Sequence, residues 1–197
     1  MPEQYASAIR FILASCIAAH LVLFDAGLLR PSLANPLRDL EMQSHEKLAV
    51  LIKDRSKLDS FTTDGCSGGL SHTWRTISDW FPKFAEAHKN SPPWEACCVM
   101  HDRTYHNAGG AADAQESYAL RLAADEVLRN CVYDTRLARS SDLQAQYGLT
   151  EQQVRAAYSL IADSMFEAVR IGGFPCSGLD WRWGYGYPQC PSILGRQ

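Results

Sequence analysis

The segment WEACCVMHDRTYHN, from Trp94 to Asn107, places two adjacent cysteines, a His-Asp pair and a tyrosine within one short stretch. Each residue type carries a chemistry. His101 is a candidate general base, because an imidazole ordinarily titrates near neutral pH and can take a proton when a partner orients it. Asp102 sets a carboxylate beside it, and the cysteines can anchor the segment through disulfides. If the segment is helical, Cys97, His101 and Tyr105 fall at i, i+4 and i+8 and drift by about 40° per step, with Cys98 and Asp102 on a neighbouring stripe. Such a helix is fixed at two points while it presents a His and an Asp side by side.

The cysteine count bears on which chemistry applies. An apolar run, FILASCIAAHLVLF, spans residues 11–24. Fourteen helical residues reach about 21 Å, short of a bilayer core of about 30 Å. PSLA at residues 31–34 has a small-x-small pattern, so residues 1–34 read as a secretory signal, with an uncleaved membrane anchor as the alternative. The leader carries Cys16 and leaves Cys66, Cys97, Cys98, Cys131, Cys176 and Cys190 in the 35–197 domain. An even number in an exported chain reads as three disulfides. Zinc is the poorer reading, since there is no Cys-x2-Cys pair and adjacent cysteines are badly placed to share one tetrahedral ion.

A base needs its partner, and the cysteines suggest one. If Cys97 bonds Cys131 across two antiparallel helices, His101 lies four residues beyond one anchor and Asp125 six residues before the other. Those offsets are about 6 Å and 9 Å in the same direction, which brings Asp125 opposite His101. Asp113, eighteen residues before Cys131, falls too far away. A tight hairpin at Gly109-Gly110 would instead set His101 opposite Tyr118. Pairing with Asp125 therefore requires irregular chain over about residues 108–117, or helices of unequal reach.

The surrounding elements are read from periodicity and punctuation. Residues 37–58 carry Leu40, Leu48, Leu51 and Ile52 among charges and read as an amphipathic helix. TTDGCSGG, residues 62–69, is a loop. Trp74, Ile77, Trp80, Phe81 and Phe84 recur at helical spacing and read as core more readily than as a lipid-facing stripe. NSPPW ends that helix and starts the next near Glu95. A third apolar-periodic run ends near Val132, and TEQQ at residues 150–153 is a capping box before a helix carrying Val154, Tyr158, Ile161, Met165 and Val169. From Gly172 the chain turns Gly-rich and aromatic, closed by an expected Cys176–Cys190 bridge. The alternating Trp181, Trp183, Tyr185 and Tyr187 read as a membrane-interface edge or as packing around that bridge. No segment alternates like a strand, so the expected fold is mostly α and disulfide-linked. Composition (46% hydrophobic, 21% charged) is that of a globular protein, and a net charge of −3 gives no footprint for nucleic acid.

Three ordered segments carry a family resemblance. CCVMHDRTY is similar to the Cys-Cys-x-x-His-Asp-x-x-Tyr signature of secreted phospholipases A2. DEVLRNC, residues 125–131, resembles their second conserved segment, and TTDGCSGG resembles their calcium loop, particularly that of bacterial-type members. The resemblance spans about residues 62–132, a third of the chain. It implies antiparallel catalytic helices beside a calcium loop, and calcium-dependent hydrolysis of the sn-2 ester of glycerophospholipids. His101 would be the base acting on water, Asp125 its orienting partner, and Tyr105 hydrogen-bonded to Asp125. Asp102 would bind Ca2+ together with backbone carbonyls near Gly65, Ser67 and Gly69, with the Asp64 side chain as a further ligand and a loop N–H such as that of Ser67 near the oxyanion. The disulfides would be Cys66–Cys98 and Cys97–Cys131. The implied partner is a phospholipid membrane surface, met by a secreted or periplasmic monomer.

The departures from the family are specific. The loop reads Cys-Ser-Gly-Gly where animal enzymes read Cys-Gly-x-Gly. The Cys66-to-Cys98 interval is about twice that of the short animal enzymes, and the inserted residues 70–90 read as a lid or membrane-contacting helix. The His101-to-Asp125 interval leaves no room for a β-hairpin. No Gly-x-Ser-x-Gly is present, which removes the usual serine-hydrolase elbow. The competing reading is a catalytically silent calcium- or membrane-binding module on the same scaffold.

Overall fold

In the computed structural model the described residues are 30–54, 57–66 and 70–190, and they are mostly helical. The apolar run 11–24, Cys16, Ser67 and Gly69 lie outside them. The described helices are α1 (Arg30–Lys53), α2 (Leu70–Trp80), α3 (Pro82–His88), α4 (Glu95–His106), α5 (Ala114–Asp134), α6 (Ser140–Tyr147) and α7 (Glu151–Gly172), with single 3-10 turns at Ala108–Gly110 and Thr135–Ala138. No strand occurs among the described residues. The chain divides into two compact units, Met1–Leu40 and Glu41–Gln197. The first is described only in the opening turns of α1, which end at Leu40; the core and the candidate site lie in the second. Among the described residues no helix is long and apolar enough to cross a membrane.

The local signals explain most boundaries. Pro92-Pro93 precede α4, as expected from the poor fit of proline inside a helix. Thr150 and Gln153 form the reciprocal capping box that opens α7. Asp113 caps α5 by accepting from the Glu116 N–H at 2.9 Å. Gly148 closes α6 in the left-handed conformation.

Several boundaries differ from expectation. α1 stops at Lys53, so Leu58 lies beyond it, and Leu40 is exposed; of the amphipathic stripe, Leu48 is the fully buried member. The Trp74–Phe84 stripe is split, because Pro82 keeps Phe81 out of the helical conformation and separates α2 from α3. Trp74 packs on Phe84 and Trp94, but Trp80 and Phe81 are 75% and 53% exposed, so two of the five stripe residues are not core. The irregular stretch after α4 is shorter than 108–117 and runs only to Asp113. α6 carries no apolar periodicity in the sequence; Leu143 is the residue that packs it against the core.

One buried cluster joins Cys97, Cys98, Leu128, Val132, Val154 and Tyr158, binding α4, α5 and α7 into one core. A second gathers Leu48, Tyr105, Ala108, Ala124 and Trp183. Residues 173–190 form a strap over the end of α4. Its Gly184 and Gly186 N–H groups donate to the Tyr105 and His106 carbonyls at 2.7 and 2.9 Å, satisfying helix-end acceptors that α4 cannot satisfy itself. Trp183 is fully buried, with its indole N–H on Ser117 at 2.8 Å, and Arg182 is buried with its guanidinium on the Tyr187 carbonyl. For Trp183 the reading as packing holds, while Trp181, Tyr185 and Tyr187 are half-buried. A side chain at Gly186 would place its Cβ within 2.5–2.7 Å of the His106 ring, which is why the strap needs glycine there.

Three disulfides are formed: Cys66–Cys98, Cys97–Cys131 and Cys176–Cys190. All six cysteines of the domain are thereby consumed, which removes thiolate zinc ligation. Closing a loop of 34 residues should contribute about 4 kcal/mol, mainly through the unfolded chain. Replacing Cys97 and Cys131 together by alanine should lower the melting temperature by about 8–16 °C in a calorimetric scan. An unchanged transition would mean that the bridge does not form.

Candidate active site

The Cys97–Cys131 bridge sets the register of α4 and α5. Moving along α4 from Cys97 to His101 to Tyr105, the partners on α5 fall from Cys131 to Asp125 to Arg121. His101 Nε2 lies 2.8 Å from Asp125 Oδ1, and Tyr105 donates its hydroxyl to the same oxygen at 2.6 Å. The hairpin difficulty is resolved by unequal reach. His101 is five residues from the end of α4, whereas Asp125 is eleven from the start of α5, so α5 overshoots by about 9 Å. The overshooting turns are used elsewhere: Ser117 meets His45 Nδ1 at 2.8 Å, and Arg121 is buried against Glu41. Asp113 caps a helix and does not approach His101.

Asp125 is fully buried, and an ionised carboxylate there needs donors on both oxygens. Oδ1 has His101 and Tyr105. Oδ2 accepts from Arg170 of α7 at 3.0 Å, with Arg121 Nε 4.0 Å away. Burial pushes the Tyr105 phenol well above its ordinary range, so it remains a donor. Arg121, with no exposure, donates to Tyr105 Oη, to Glu41 and to the Val169 and Arg170 carbonyls. Glu41 is further held by Arg170 at 2.8 Å. Burial opposes its charge, but the hydrogen bond from His45 and the charges of Arg121 and Arg170 outweigh that and hold its carboxyl down at about 2.

Asp102 lies on the adjacent stripe and is also buried. The Thr63 hydroxyl donates to its Oδ2 at 2.5 Å, and Thr63 Oγ1 accepts from the Gly65 N–H at 3.1 Å, which ties the carboxylate to the loop. The Cys66–Cys98 bridge ties the same loop to α4 one turn before Asp102. Gly65 has φ +85°, and a Cβ there would sit 2.8 Å from Glu95 Oε1 and from Ser71 Oγ. Those two groups are themselves engaged, because Ser71 Oγ accepts from the Cys66 N–H and donates to Glu95. The strap reaches this loop too, since the Tyr185 hydroxyl donates to the Thr62 carbonyl at 2.6 Å.

Whether this corner suits a cation can be judged from its electrostatics. Burial raises the Asp102 carboxyl above its ordinary value; the Thr63 hydrogen bond and His101 lower it, and the charge of Asp64 raises it again. Burial and the charges of Asp102 and Asp64 push the Tyr185 phenol up as well. Two carboxylates thus load one corner with negative potential, and the donors present are oxygens, the kind calcium prefers. Among the described residues no group of three or more His, Cys, Asp or Glu side chains converges as a metal cluster, so a cation here would depend on carbonyl oxygens as well. Of the expected ligands, Asp64, Gly65 and Asp102 are brought to one corner, while Ser67 and Gly69 are outside the described residues.

Sequence reasoning missed Thr63, Tyr185, Arg121, Arg170 and Glu41. Arg121 could have been found from its i, i+4 relation to Asp125; Arg170 and Glu41 leave no local signal. No family model, curated protein or solved structure matches the chain.

Two outcomes follow from this geometry. A carboxyl depressed in the folded state contributes stability that is fully present above its ordinary value of 4.5 and is lost as pH falls toward about 2. Glu41→Gln should therefore flatten the loss of unfolding free energy between pH 4.5 and 2 in denaturant titrations; an identical slope in both proteins would contradict the Glu41 assignment. Gly65→Ala, strained in φ and short of space, should destabilise by about 1–3 kcal/mol by the same measurement, and a neutral result would contradict the loop conformation.

Proposed function

We propose that this chain is a calcium-dependent phospholipase A2 that hydrolyses the sn-2 acyl ester of glycerophospholipids. The observation that carries the reading is the buried His101–Asp125 pair, with Tyr105 on the same carboxylate oxygen and a second buried carboxylate, Asp102, tied to a disulfide-anchored loop. In this reading α4 and α5 are the antiparallel catalytic helices and residues 62–69 the calcium loop.

A carboxylate facing Nε2 favours the neutral tautomer with its hydrogen on Nε2, which leaves Nδ1 to accept a proton from water. The water oxygen attacks the ester carbonyl carbon as its proton passes to His101 Nδ1. Asp125, held by Tyr105 and Arg170, stabilises the imidazolium that forms. The same proton then goes to the glycerol oxygen as the C–O bond breaks, giving a free fatty acid and a lysophospholipid. Asp102, Asp64 and the carbonyls of Gly65, Ser67 and Gly69 would hold calcium, which when bound supplies positive charge for the substrate phosphate and the ester carbonyl oxygen. A loop N–H such as that of Ser67 would donate to the oxyanion. Three disulfides suit an oxidising compartment, which supports a secreted or periplasmic location; in this reading the protein acts as a monomer at a phospholipid surface.

The test is the purified protein on phosphatidylcholine vesicles with different chains at sn-1 and sn-2, with and without chelator. Calcium-dependent release of the sn-2 chain is expected. His101→Gln and Asp125→Asn should each lose about 10²–10⁴-fold in turnover, whereas Asp113→Asn should stay near wild type because asparagine also caps a helix. Full activity of His101→Gln would overturn the mechanism. Calcium binding without hydrolysis would overturn the enzyme reading in favour of a silent binding module.

A further inference from the structure

The two oxygens of Asp125 are used differently. Oδ1 meets the imidazole at 2.8 Å and the phenol at 2.6 Å, while Oδ2 meets Arg170 Nη1 at 3.0 Å. Arg170 is in turn seated by its Nη2, which lies 3.0 and 2.8 Å from the two oxygens of Glu41. Glu41 is shared with Arg121, and Arg121 also donates to the phenolic oxygen of Tyr105 at 3.1 Å. Glu41, Asp125, Arg121 and Arg170 form a group of two negative and two positive charges. A neutral His45 hydrogen-bonds Glu41 from within α1, and its imidazole is kept below its ordinary range chiefly by burial.

A tie between α1, α5 and α7 needs only the Glu41–Arg121 contact and the two carbonyls that Arg121 already holds. Arg170 directs a donor to the one carboxylate that orients His101. Without it, Asp125 Oδ2 would keep only a guanidinium nitrogen at 4.0 Å, beyond hydrogen-bond reach. The carboxylate could then turn about its last torsion, a soft one, and present His101 with a less fixed acceptor.

We propose that Arg170, seated on Glu41, is a positioning residue for the hydrolytic reaction: it fixes the second oxygen of Asp125 so that the first is held toward His101. This rests on the proposed function for its kinetic consequence, but its structural consequence can be read without turnover. Arg170 acts through Asp125 and touches neither water nor substrate. At metal sites, groups that orient a reacting residue from one layer out are worth about 10–100-fold in activity, and the same scale applies here.

The experiment compares wild type, Arg170→Met, Arg170→Lys, Asp125→Asn and the Asp125→Asn/Arg170→Met pair, using phosphatidylcholine vesicles in saturating calcium and 15N–1H correlation of the His101 ring at one fixed pH. Arg170→Met should lower kcat by about 10–100-fold with KM within about twofold, and Arg170→Lys should restore part of the loss. In the Asp125→Asn background the second change should add nothing, because the group it positions is gone. The ring spectrum should change from a single Nε2–H tautomer in wild type to a mixture in Arg170→Met. Should Arg170→Met lose its helical circular dichroism, Glu41→Gln carries the same readouts, since it removes the seat of Arg170 and should shift both in the same direction. Equal losses in both Asp125 backgrounds, or an unchanged tautomer in the folded variant, would overturn the proposal. If wild type releases no fatty acid, the proposed function fails, and the tautomer readout still decides the role of Arg170.

Discussion

A carboxylate with no exposure to water is the constraint around which this domain is organised. Asp125 cannot be buried as an anion without several kcal/mol of compensation, and the compensation comes from three helices. α4 supplies the imidazole and phenol, α7 supplies Arg170, and α5 supplies Arg121 one turn from Asp125 itself. The buried Arg121 and the half-buried Arg170 then need an anion of their own, which is Glu41 of α1. The chain of requirements runs from one buried carboxylate to the placement of four helices.

Covalent and backbone devices hold these groups in place where polar bonds alone would be soft. Two adjacent cysteines send α4 in two directions, one bridge to α5 and the other to the loop beside Asp102. The last carbonyls of that helix are capped by the strap of residues 173–190, whose Tyr185 also holds the loop at Thr62. The third bridge closes the strap on itself. His101 and Asp102 therefore stand on a helix fixed at its start, its side and its end, the kind of preorganisation that catalysis or tight ion binding requires.

Much of this arrangement is legible in the sequence, and the reasons differ by residue. The pairing of His101 with Asp125 follows from two offsets relative to two cysteines, because a disulfide and a fixed helical rise leave little freedom in register. The mostly α fold and the capping box at Thr150 follow from local patterns. The arginine–glutamate group does not. Arg170 is 45 residues from Asp125 and 129 from Glu41, and a long-range charge pair leaves no period to read. Trp80 and Phe81 are misread as core because helical spacing says only that residues share a face, not what the face meets; Pro82 breaks the helix and turns them outward. Unequal helix reach after Gly110 is likewise set by tertiary contacts, namely the use of Ser117 and Arg121 beyond the end of α4.

The central claim is that His101 acts on water and that no acyl group passes through the protein. The most direct measurement is a single turnover, with enzyme in excess over an sn-2-labelled phosphatidylcholine, carried out in 18O-enriched water with calcium and followed by mass spectrometry of the fatty acid and the intact chain. The expected result is one 18O in each released sn-2 fatty acid and no mass increase on the protein at any time point. A transient acyl adduct on the chain, or release of the unlabelled sn-1 chain while the labelled sn-2 chain stays esterified, would contradict it.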